Sequence, residues 1–177
     1  MMSGGTNNFT MLVFLNDEDT LNGPFKVDGK LKQWDFQPSI QPFFDKRRKK
    51  QKPQADISDL TSGALVLNEK AYHTLRDFLL PFGQLLPVDC SGEIKYFFNV
   101  TNIISCIDIE KSGKVGQCVT DPVFLANAIP AGVQVFKDPL TVGTAIYLTP
   151  AAKVILEQLI TTAGLTGLVI FKAGDGQ

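Results

Sequence analysis

The chain is poor in the side chains that most often carry catalysis or hold metals. Among 177 residues there are three cysteines and one histidine. A Ser–His–Asp or Cys–His pair would have to use His73, which falls on the polar side of an expected helix. Zinc needs three or four clustered Cys or His ligands. Cys90, Cys106 and Cys118 are scattered and form no C-x-x-C. An odd, dispersed set also gives no disulfide framework and fits buried or inert thiols in a reducing compartment.

Phosphate-binding signatures are missing as well. The chain has no G-x-x-x-x-G-K-[ST], and no G-x-G-x-x-G follows a strand. Gly164-Leu165-Thr166-Gly167 leaves a helix instead of opening one, the wrong geometry for an anion at a helix N-terminus. No apolar run approaches the roughly 18 residues of a membrane span. The polar start, Met1 to Thr10, lacks a basic segment followed by an apolar one, so no signal peptide is expected. These absences lead to the expectation of a cytoplasmic protein with no cofactor, no metal and no catalytic site.

What is present suits one domain with its own core: 44% hydrophobic and 20% charged residues, with thirteen phenylalanines. Net charge is -1 but unevenly placed. Lys46, Arg47, Arg48, Lys49, Lys50 and Lys52 put six positives in one stretch. Removing them from 17 basic residues leaves 11 against 18 acidic ones, so the remainder carries -7. Gln37–Asp59 reads as the least ordered region, with Pro38, Pro42 and Pro53 discouraging helix, and a flexible basic loop over about 45–55 is expected within it. An acidic body with one basic loop is unlike a nucleic-acid binder, which spreads basic charge over a face. Phosphate contact through 46–52 remains the alternative reading, with Phe43 and Phe44 as stacking neighbours.

Hydrophobic periodicity predicts an α+β domain of mostly antiparallel strands with two main helices, about 68–80 and 150–163. Asn68 and Thr149 are the N-caps, Pro150 the first residue of the second helix, Lys153 and Glu157 a pair four apart on its outside, and Gly164 its stop. Short strands are expected at Met11–Leu15, Ala64–Leu67, Val133–Phe136, Ala145–Leu148 and Leu168–Phe171. Leu85–Val88 and Glu93–Val100 should pair around Asp89–Gly92, and Ile57–Leu60 should re-enter the body. A second hairpin is expected around Asp28-Gly29, a strand over Ile103–Ile109, and a turn at Lys111–Gly116.

The acidic turn Asp17, Glu18, Asp19 and the pair Asp108 and Glu110, two apart on one strand face, are read as solvated or partner-binding surface. Acid–base work is the outside option. Trp34 and Phe36 fit the core best, with both also candidate interface anchors.

An ordered set of motifs carries a resemblance: Pro53-Gln54-Ala55-Asp56, Leu65 to Ala71, Pro81 to Val88, Tyr96 to Asn102, Asp108 with Glu110 and Ser112, Val135-Phe136-Lys137, Tyr147-Leu148-Thr149 and Gly164 to Leu168. Over roughly Pro53 to Phe171 the chain resembles the bacterial immunity-protein family numbered eleven, found in polymorphic-toxin and contact-dependent competition loci. The resemblance implies a non-catalytic antidote that binds a cognate toxin, encoded by an adjacent gene, in the producing cell. It supplies no catalytic residues and no toxin-contact residues. An acidic body would suit a basic partner, and an exposed edge strand would let two copies pair.

Overall fold

A computed structural model describes residues 1–5, 8–16, 23–44, 47 and 51–173. The elements in chain order are β1 (Met2–Gly4), β2 (Leu12–Phe14), β3 (Ser39–Pro42), β4 (Ile57–Thr61), β5 (Ala64–Leu67), α1 (Glu69–Leu79), β6 (Gly83–Cys90), β7 (Glu93–Val100), β8 (Gly113–Val115), β9 (Cys118–Asp121), β10 (Val135–Phe136), β11 (Tyr147–Leu148), α2 (Pro150–Ala163) and β12 (Leu168–Ile170). The fold is α+β and mostly antiparallel.

A six-stranded sheet, ordered β2-β3-β6-β7-β5-β4, forms the centre, with β3 parallel to β6. It curls far enough for its two edges, β2 and β4, to lie against each other. Thr10 N–H donates to Pro53 O across that seam. Both faces of β7 are therefore buried in different cores, as its alternation requires. Phe97 points into the curl with Leu12, Phe25, Ile40, Val66 and Val88. Phe98 and Val100 point outward, beneath α1 and α2. Phe25 holds the inner core, with ring centroids 5.2 Å from Phe14, 5.5 Å from Phe97 and 5.6 Å from Trp34.

The β6–β7 hairpin forms as its turn chemistry demands. Ser91 and Gly92 both take positive φ, the requirement of a two-residue primed turn, and Asp89 Oδ1 accepts from Gly92 N–H. Asn68 caps α1 by accepting from Ala71 N–H at 2.9 Å, and Ala71, Leu75 and Leu79 recur every four residues on its buried face. Thr149 caps α2, and Gly164 ends it in the left-handed conformation.

Several expectations are corrected. Asp28-Gly29 does turn, but no hairpin follows. The backbone of Lys30 and Lys32 is taken by side chains of the central sheet instead: Asn99 Nδ2 donates to Lys30 O, and Gln84 exchanges two bonds with Lys32. Trp34 is half-buried against the inner core, whereas Phe36, two residues on, is exposed. Ser39–Pro42 is a strand, because pairing with β2 and β6 outweighs Pro42 and the preceding Pro38. The end of the expected basic loop is tied down: Gln54 accepts from buried Lys95 Nζ at 2.7 Å, and Ala55 is buried. Ile103–Ile109 is no strand; it makes only isolated bridges, Ile103 to Lys137 and Ile107 to Phe124. Lys111–Gly116 is not simply a turn but includes β8, paired with β9. Cys90 and Cys106 are buried free thiols, while Cys118 is exposed. Finally, the polar start contains β1, which pairs with β12.

Candidate functional site

Residues 101–149 carry little regular structure, and buried polar side chains hold them in place. Asp138 is fully buried. It accepts from Cys106 and Ile107 N–H at 2.7 and 2.9 Å through one oxygen, and from Leu140 N–H at 2.8 Å through the other. Its neighbour Lys137, 1% exposed, donates to Gly63 O at 2.7 Å and Val142 O at 2.6 Å. Burial pushes that ammonium from 10.5 down to about 7. Gly63 has φ +68°, and a Cβ there would lie 2.9 Å from Lys137 Nζ, so glycine is required twice over. Burial, and then the Asp138 carboxylate, raise the Cys106 thiol to about 12, which makes it inert. Among the described residues no buried side-chain nitrogen or oxygen lacks a partner.

This bracketed segment makes one wall and the floor of a cleft of about 850 Å³. Val135 pairs with Leu148 and Phe136 with Tyr147, and Met2 bridges to Ile146, so β10, β11, β1 and β12 run side by side. Phe136 and Tyr147 are buried in the floor, with ring centroids 5.6 Å apart, and Phe124 packs edge-on to Tyr147 at 5.2 Å. The Tyr147 hydroxyl is 3.0 Å from Thr141 Oγ1. Thr149 joins the two upper walls. Its hydroxyl caps α2 and accepts from Gln134 N–H while donating to Gly132 O at 2.7 Å. One residue type at the end of β11 thus fixes both the helix start and the loop facing it.

The charge of the cleft is one-sided. Lys153, Lys172 and the amino group of Met1 border it, and no carboxylate, histidine, cysteine or serine does so among the described residues. The Met1 amine donates to Phe171 O at 2.8 Å. Burial, and then repulsion from Lys153, hold it below the usual amine range. The lining therefore offers apolar contact and cations.

The residues singled out from sequence do not assemble here. Asp17, Glu18 and Asp19 lie outside the described residues, as do Lys46, Arg48, Lys49 and Lys50 of the basic run. Trp34 lies over the inner core, and its Nε1 donates to Pro24 O. Asp108 and Glu110 share no strand face, because both are in a turn. Asp108 Oδ1 accepts from the N–H groups of Glu110 and Lys111, and its other oxygen is 3.2 Å from Lys111 Nζ. A carboxylate occupied in this way shapes a turn. His73 is exposed on α1 beside Glu69.

Sequence reasoning missed the cleft because six separate segments build it, each short and individually unremarkable. The cysteines, histidine and acidic residues among the described residues form no group that could hold a metal ion, and no helix among them is long and apolar enough to cross a membrane. No family model matches the chain, and no curated protein matches it.

Proposed function

We propose that this protein is a non-catalytic binding protein that neutralises a cognate bacterial toxin in the cytoplasm of the cell that makes both. The ordered motifs from Pro53 to Phe171, resembling immunity-protein family eleven, name the partner class. The cleft between α2 and the β1–β12 ribbon is the observation that carries the reading. It is broad, mostly apolar and aromatic, and bordered by lysines. Such a surface favours docking of a protein segment, and its described lining holds no carboxylate, histidine, cysteine or serine.

The test is genetic and biochemical. The product of the adjacent gene, expressed alone, should arrest growth. Co-expression of this chain should relieve the arrest, and the two proteins should co-purify. A harmless neighbour, or a toxic one that neither binds this chain nor is relieved by it, refutes the proposal.

A further inference from the structure

Resting on the binding reading above, we infer that the cleft receives an extended segment of the partner protein in which carboxylates sit beside apolar side chains. Three observations carry this.

The first is charge. Outside the basic run the chain carries -7, yet the cleft is bordered by Lys153, Lys172 and the Met1 amino group, with no carboxylate among its described lining residues. The cleft is therefore a local reversal of an acidic body. An acidic segment meets attraction here and at the basic run 46–52, and repulsion over most of the rest. The apolar floor is what distinguishes the cleft from the basic run. Burial, and then the nearby Lys153, disfavour protonation of the Met1 amine. An incoming carboxylate would offset the second of these.

The second is availability. Lys153 is 3.7 Å from Glu157 on the surface of α2, with both side chains half exposed. An exposed pair of that kind holds only weakly. Lys153 can exchange Glu157 for a partner carboxylate at little cost.

The third is shape. Phe136 and Tyr147 are buried in the floor, while Pro130, Ala131, Pro150 and Ala151 on the walls are exposed. The cleft opens on solvent and is not a closed chamber. A volume of about 850 Å³ accommodates several side chains of a segment laid across it. The apolar floor supplies contact area, and the lysines supply register.

The test uses the full chain and a random peptide library displayed on phage, selected at low salt. Two variants serve as counter-targets: Lys153→Glu with Lys172→Glu, which reverses the rim charge, and Ala151→Trp, which fills the mouth. Thermal melts confirm that both fold. Selected peptides should be rich in Asp and Glu next to aromatic or aliphatic residues. They should bind the charge-reversed variant about tenfold more weakly, the combined effect of two reversed rim charges, and Ala151→Trp should compete with them for space.

No enrichment, enrichment of neutral or basic peptides, or unchanged binding to both variants overturns the inference. So does binding of dodecanoate to the parent chain but not to Ala151→Trp with no peptide enriched, which would make the occupant a small amphiphile. Relief of toxicity is scored separately. If the wild-type chain protects while no acidic peptide is selected, the cleft assignment falls and the antidote reading stands. If acidic peptides are selected but the wild-type chain does not protect, the antidote reading is the one that fails.

Discussion

The curled central sheet and the segment 101–149 stay folded by different means. In the sheet, alternating side chains bury Phe97 on one face and Phe98 on the other, and the backbone is satisfied by regular ladders. In 101–149 there are few ladders, so buried charged groups satisfy the backbone: Asp138 takes three N–H groups and Lys137 two carbonyls. Apolar packing stabilises wherever area is removed from water. Buried polar brackets stabilise less, because desolvation offsets much of the gain, but they fix one geometry for an irregular chain. The cleft borders the second region, where shape is set by brackets.

The largest way to break this contrast is Phe97→Ala. It leaves a cavity between Phe25, Trp34 and Val88, and should cost about 3–5 kcal/mol. Urea denaturation should show one cooperative transition at a lower midpoint, since the sheet underlies both cores.

Asp138→Ala should cost less, about 2–3 kcal/mol, because water admitted by local opening replaces most of the acceptor lost to three N–H groups. Its signature is local. Native-state hydrogen exchange should show Cys106, Ile107 and Leu140 exposed by a partial opening, while β6 and β7 keep their protection. Uniform loss across the sheet would show that the two regions are not separable.

The smallest effect is also the most diagnostic. The Lys137 ammonium titrates near 7 in the folded protein and near 10.5 when unfolded. Between those values the unfolded chain binds more protons, so stability should rise as pH increases from about 7 towards 10.5. Lys137→Met removes the titrating group and two hydrogen bonds, a cost of about 1–2 kcal/mol. Denaturation midpoints at about pH 7 and pH 9 should then differ less than in the parent chain. An equal pH dependence in both would place the titration elsewhere.

Regular elements were legible because their signals are local. Asn68 and Thr149 accept the N–H three residues on, Gly164 takes the left-handed turn, and Ser91-Gly92 closes a hairpin, all within a few residues. The candidate site was not legible. Its floor residues Phe136 and Tyr147 read simply as apolar strand, and Lys153 as the outside of a helix. The acidic pair Asp108 and Glu110 was misplaced because spacing of two is compatible with a strand or a turn, and Asp108 chose the turn by bonding its own backbone.

The sequence by itself determined the α+β class, both helices with their caps and the tightest hairpin, since caps, periods and turns act over a few residues. Tertiary structure alone decided that Met2–Gly4 pairs with Leu168–Ile170, that Gln84 and Asn99 hold the chain at Lys30 and Lys32, and that lysines from separate elements converge on one apolar cleft. Those outcomes depend on which distant groups remain unsatisfied once the local elements have formed, and no window along the chain contains both partners.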